Sequence, residues 1–105
     1  MRGYQLTFYT EQNRKHDHQP LGEWLIQQAK KMGLSGATLS NASEGFGQAH
    51  KLHTARFFEL ADQPVEVTMA VTEAEAERVF DLLKTQRVKV FYVKTPIEFG
   101  TTDGL

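Results

Sequence analysis

Residues 65–83 read VEVTMAVTEAEAERVFDLL, and two periods meet inside that stretch. Val65, Val67, Met69 and Val71 alternate with Glu66 and Thr68, the period-two signature of a strand with one buried face. At Thr72 the period changes. Thr72 and Glu75 form a capping box, T-x-x-E, in which a hydroxyl and a carboxylate each satisfy a backbone N–H left free at a helix start. Ala76, Val79, Phe80 and Leu83 then share one helical stripe.

The N-terminal half carries the same strand and helix signals. Tyr4, Leu6 and Phe8 alternate with Gln5, Thr7 and Tyr9 over Tyr4–Thr10, a half-buried strand. Glu11–Gln19 is wholly polar and reads as a loop. Pro20 suits the first turn of a helix, where its missing N–H costs nothing. Leu21, Trp24, Leu25, Gln28, Ala29 and Met32 follow at helical spacing, with Gly33 as the stop, so a helix is expected over Pro20–Met32. Trp24, beside Leu21 and Leu25, belongs to its core face.

A second strand covers about Ala37–Ser43 and continues irregularly toward Phe46. Ala55–Leu60 is apolar enough for a short strand or a turn of helix, and Asp62-Gln63-Pro64 is a break. Arg87–Lys94 reads as the last strong strand, with Thr95–Phe99 extending past Pro96 as an edge or arm. Gly100–Leu105 is expected to be a mobile tail.

The order β-α-β-β-α-β is the split βαβ plan. The expected fold is α+β: a ferredoxin-like βαββαβ sandwich with two helices on one face of a four-stranded antiparallel sheet. The other face should carry Gln5, Thr7, Tyr9, Glu66 and Thr68. A face of that mixed, partly aromatic kind suits an interface, so a homo-oligomer is expected.

At 105 residues the chain is expected to form one domain, 1–105, with a core large enough to need no staples. Lys and Arg number 12 against 13 Asp and Glu, so no net field favours nucleic acid or an anionic membrane. The absence of cysteine excludes disulfides, thiolate catalysis and Cys-based zinc sites and fits a cytoplasmic protein. No apolar run approaches the length of a membrane span, and no apolar signal core follows Arg2. Ser35, Ser40, Ser43 and Thr38 lack a nucleophile motif such as G-x-S-x-G, and no pair of carboxylates is arranged for acid and base roles. No enzyme is expected.

Residues 36–53, GATLSNASEGFGQAHKLH, hold the densest set of candidate ligand groups. Gly45 and Gly47 flank Phe46, and two glycines around one aromatic let backbone turn sharply and approach another molecule closely. A β-bulge followed by an exposed turn accounts for the same residues. Gln48, His50, Lys51 and His53 come directly after. His16 and His18 lie in the first polar loop, and with His50 and His53 they are candidate metal ligands, Asp17 adding a carboxylate. Exposed loop histidines have the same spacing, and His53 before Thr54 can instead hydrogen-bond the backbone and fix its loop.

In their order and spacing, several motifs make the chain resemble the PII-like superfamily, most closely the branch named domain of unknown function 190. They are Pro20-Leu21, then Gly33-Leu34-Ser35-Gly36-Ala37-Thr38, Glu44-Gly45-Phe46-Gly47, and His53-Thr54 ahead of Pro64. Val65–Val71 followed by Thr72-Glu73 completes the pattern. The resemblance runs from about Tyr4 to Phe99. It implies a homotrimer whose sheets face a central axis, with adenine nucleotides bound in clefts between subunits. It also implies a loop that blocks or releases a transporter or an enzyme. The corresponding loop here, Gln48–Thr54, is short, and Leu83-Lys84-Thr85-Gln86-Arg87 stands where a Gly-rich phosphate turn is expected. The implied site is therefore a reduced one. Gly45, Phe46, Gly47 and Gln48 would meet the base or ribose, and Lys84, Arg87 and Lys89 would hold phosphate, since basic side chains can replace a backbone cradle. No cofactor is required beyond such a ligand. The alternative is a metal-responsive trimer resembling the CutA-type divalent-ion tolerance proteins and using the four histidines.

Overall fold

A computed structural model describes residues 1–41, 44–45, 53–54 and 63–105. The chain begins with β1 (Arg2–Glu11), then a short hairpin of β2 (Lys15–His16) and β3 (Gln19–Pro20), then α1 (Leu21–Lys31) and β4 (Ala37–Asn41). A second short pair follows, β5 (Glu44–Gly45) and β6 (His53–Thr54). The last elements are β7 (Pro64–Val71), α2 (Glu73–Thr85), β8 (Phe91–Glu98) and a 3-10 turn at Thr102–Gly104. The main sheet has the order β4-β7-β1-β8 with every neighbour antiparallel. That is the ferredoxin-like plan.

One face of the sheet is dry. Leu6 and Phe8 of β1 and Val65, Val67, Met69 and Val71 of β7 are buried beneath Leu21, Trp24, Leu25 and Ala29 of α1 and Ala76, Val79 and Leu83 of α2. The period-two and period-3.6 stripes thus meet in a single core. At Gly22 α1 lies close on the sheet: a Cβ there would sit 3.0 Å from Leu39 Cδ1 and 3.1 Å from Val65 Cγ1. The capping box forms as expected, with Thr72 N donating to Glu75 Oε1 at 2.8 Å and Glu75 N to Thr72 Oγ1 at 3.1 Å. Pro20 and Met32 are the cap residues of α1 rather than its first and last turns. Beyond Met32, Gly33 (φ 73°) donates to Lys30 O and Leu34 N to Ala29 O, both at 3.1 Å. This is the paired closure of a Schellman stop, which needs a left-handed residue at Gly33's position.

The structure differs from the sequence reading in three places. The polar stretch Glu11–Gln19 is not simply a loop, because β2 and β3 pair within it, His16 with Gln19 and Lys15 with Pro20. Its two-residue turn, Asp17 (φ 51°) and His18 (φ 65°), has both residues left-handed, as a type I′ turn requires. The last strand begins at Phe91, not Arg87, and passes through Pro96 to Glu98. As the end member of the sheet β8 tolerates that proline, which a central strand would not. The second strand is described over Ala37–Asn41, its expected continuation at residues 42, 43 and 46 falling outside the described residues, and His53–Thr54, read as the end of a loop, instead form β6 and pair with Glu44–Gly45. The expectation for Ala55–Leu60 falls outside the described residues.

Among the described residues, no helix packs on the second face of the sheet, although Thr7 at its middle is buried. By register it carries Gln5, Thr7 and Tyr9, with Glu66 and Thr68 opposite on β7 and Phe91 and Val93 opposite on β8. Thr7 Oγ1 and Thr68 Oγ1 lie 3.4 Å apart, and the Tyr9 and Phe91 rings are 5.7 Å apart. Phe91 and Val93 are nonetheless 46% and 42% exposed. Among the described residues no helix is long and apolar enough to cross a membrane.

Candidate functional site

Strand register brings the segments that lead to the described candidates Gly45, His16, His18, Arg87 and Lys89 to one end of the sheet. Asn41 pairs with Val65, Val65 with Thr10, and Tyr9 with Phe91. At this end the chain leaves β4 toward β5, leaves β1 toward the β2–β3 hairpin, and enters β8 from α2. β4 and β8 are the two edges of the sheet, three strand spacings or about 14 Å apart. Within one chain, the route to Gly45 and the route from Lys84 to Lys89 therefore meet the sheet at opposite edges of the same end.

The segment between α2 and β8 has an unusual start. Arg87 N donates to Lys84 O at 3.1 Å and Val88 N to Leu83 O at 2.9 Å, the same paired closure that ends α1. At the position held in α1 by Gly33, α2 has Arg87 with φ 56°. A side chain in the left-handed region costs roughly 1 kcal/mol relative to glycine. Strained positions of this kind concentrate at functional sites. Lys84, Arg87 and Lys89 are all exposed, so three cations sit within six residues around one helix stop. Arg87→Gly is expected to raise stability by roughly 1 kcal/mol, read as a higher urea midpoint. An unchanged or lower midpoint would show that the arginine is not strained.

The hairpin packs onto this segment. The Arg14 guanidinium donates through Nη2 to the Lys89 carbonyl. The His16 ring meets the edge of Trp24 with centroids 4.3 Å apart, and its Nε2 lies 3.3 Å from Gln86 Oε1 and 3.8 Å from Asp17 Oδ2. Burial pulls the Arg14 guanidinium below its ordinary value, and the charge of Glu11 acts in the opposite direction. Arg14 was not singled out by sequence. Its only signal there was a cation in a polar stretch, and its carbonyl partner is 75 residues away.

The remaining candidates divide as follows. Gly45 lies in β5, paired with His53 of β6. Phe46, Gly47, Gln48 and His50 fall outside the described residues. His16 is half-buried against Trp24, whereas His18 sits exposed on the hairpin turn. Among the described residues no three His, Cys, Asp or Glu side chains gather as metal ligands. A groove of about 1080 Å³ opens at the opposite end of the sheet, walled by Met1, Gln5, Thr38, Thr68, Phe99 and Thr101 among others. Among the described residues, none of the candidates lines it, and no Lys or Arg side chain does either. It offers an anionic ligand little, so the cation-bearing end is the better candidate.

The model of the DUF190 family, described as "Uncharacterized ACR", matches residues 3–98. The chain belongs to the DUF190 family. It is 28% identical over 80 residues to a UPF0166 protein of Aquifex aeolicus (strain VF5), covering 75% of this chain and 76% of that one. Its fold is similar to the crystal structure of a PII-like signaling protein from Thermus thermophilus. The TM-score is 0.67 at 19% identity, over 91% of this chain and 87% of the other. It is also similar to CPII, a nitrogen regulatory PII-like protein from Thiomonas intermedia K12, in a structure bound to ADP, AMP and bicarbonate. There the TM-score is 0.69 at 16% identity, over 96% and 91% of the two chains. This DUF190 chain therefore has the PII-like fold, as its motif order implied.

Proposed function

We propose that this DUF190 protein is a trimeric, PII-like regulatory subunit that binds an adenine nucleotide in clefts between subunits and signals through Gln48–Thr54 to a transporter or an enzyme. The observation that carries this reading is Arg87, a strained arginine at a helix stop where α1 uses glycine, flanked by Lys84 and Lys89. Charge-assisted bonds from such groups to phosphate are about twice as strong as neutral ones. The likeness in fold to CPII, whose structures hold ADP and AMP, supports adenine as the base.

The edge-to-edge separation supports a cleft shared between copies. A neighbour's β8 edge brought against this subunit's β4 edge would place the Lys84–Lys89 cations opposite Gly45–Gln48. The sheet face bearing Tyr9 and the exposed Phe91 and Val93 would supply the apolar surface for such an assembly. Ligand binding at the cleft would shift the equilibrium of the Gln48–Thr54 segment, and a partner would read the shifted state.

Thermal melting with ATP, ADP and AMP, and separately with divalent cations, tests the ligand. A ligand at a hundredfold its Kd stabilises the native state by about 2.7 kcal/mol, so nucleotide should raise the Tm clearly. A rise with metal alone would replace this reading by the histidine one. Light scattering should give three times the 11.9 kDa subunit mass, and a monomer at micromolar concentration would end the shared-cleft account.

A further inference from the structure

Between the end of α2 and the start of β8, residues 86–90 belong to no helix or strand. The amides of Gln86, Arg87 and Val88 close α2, and beyond them the backbone has no ladder to fix it, so holding it in one conformation costs entropy. The segment is clasped from outside at two points. The Arg14 guanidinium holds the carbonyl of Lys89, and the His16 ring reaches the side chain of Gln86.

Both clasping residues stand on a base that is itself fixed. Arg14 N donates to Glu11 O at 3.1 Å, and Arg14 O accepts from Leu21 N at 2.8 Å, the first residue of α1. His16 is braced edge-on against the buried Trp24. The turn that aims them uses two left-handed residues, neither of them glycine. An arginine whose charge is partly buried and committed to a backbone carbonyl has a positional role, since a carbonyl needs no charge to be satisfied.

We infer that the β2–β3 hairpin is a clamp on the phosphate-binding segment, and that Arg14 is a positioning residue: it fixes the carbonyl of Lys89 so that Arg87 and Lys89 present their cations to the phosphates of the nucleotide. This rests on the nucleotide reading proposed above. Arg14 holds the segment and does not touch the ligand, so its effect is confined to the phosphate end.

The test uses the full chain as wild type, Arg14→Gln and Arg14→Lys, with two readouts. The first is hydrogen exchange without ligand. Arg14→Gln should accelerate the amides of residues 87–90 about tenfold, the equivalent of one lost bond to a charged group, while β1 and α1 stay protected. The second is calorimetry with ATP and with adenosine. Arg14→Gln should weaken ATP about tenfold and adenosine less than twofold, and Arg14→Lys, which can still donate to a carbonyl, should recover most of the ATP affinity. Unaccelerated exchange at 87–90 would overturn the clamp, because an arginine that only contacted phosphate would leave the free protein unchanged. Equal losses for ATP and adenosine would mean general damage and would overturn it too. If wild type binds ATP and Arg14→Gln binds it equally, the inference fails and the nucleotide reading stands. If wild type binds neither ligand, the nucleotide reading itself fails and the inference goes with it.

Discussion

Replacing Phe8 by alanine is expected to destabilise the protein by about 3–5 kcal/mol, the usual cost of emptying a fully buried aromatic site. Phe8 is 0% exposed at the centre of the sheet. Its ring lies 6.2 Å from Phe80 of α2 and 6.4 Å from Tyr92 of β8, and those two rings are themselves 4.8 Å apart. Three elements meet on this one side chain, so none of them can move alone to refill the space. Urea denaturation should show a lower midpoint with an unchanged slope. A loss under about 1 kcal/mol would mean the core repacks far more easily than these contacts imply.

Trp24→Ala is the second large effect, again about 3–5 kcal/mol, but with a consequence that Phe8→Ala lacks. Trp24 is 3% exposed on α1 and forms the surface against which His16 stands. Its loss should release the β2–β3 hairpin as well as open a cavity. Amides of residues 15–19 should then exchange faster in Trp24→Ala than in Phe8→Ala when the two are compared at equal global stability. Equal exchange there would show that the hairpin is held by its own turn and not by the tryptophan.

Much of the fold was legible because its two periods are clean. Val65–Val71 alternates without a break, and Thr72 and Glu75 mark the next helix start to the residue. The misplaced start of β8 has a physical cause. Val88 and Val90 alternate with Arg87 and Lys89 and so imitate a strand, but Val88 N is committed to Leu83 O in closing α2. Had Arg87 been glycine, the helix stop would have been visible, as it was at Gly33. The β2–β3 hairpin escaped notice for a related reason. Its turn is Asp17-His18, without the glycine that usually marks a type I′ turn.

The cationic segment was legible as chemistry and not as geometry. Lys84, Arg87 and Lys89 stand close in sequence and the structure keeps them on one exposed segment. Arg14 and Gln86 meet their partners only through contacts 75 and 70 residues long, which no local pattern encodes. Of the four candidate histidines, His16 stands against Trp24 and His18 on an exposed turn.

Calorimetric titration of ATP into wild type and Gly47→Val tests the central claim most directly. The two glycines at 45 and 47 are proposed to admit the base or ribose against bare backbone, and a branched side chain at 47 would fill that space. The account predicts saturable binding by wild type at one nucleotide per subunit, and no measurable binding by Gly47→Val with its trimer mass intact. Wild type without binding at millimolar ATP, or Gly47→Val binding as tightly as wild type, would contradict it.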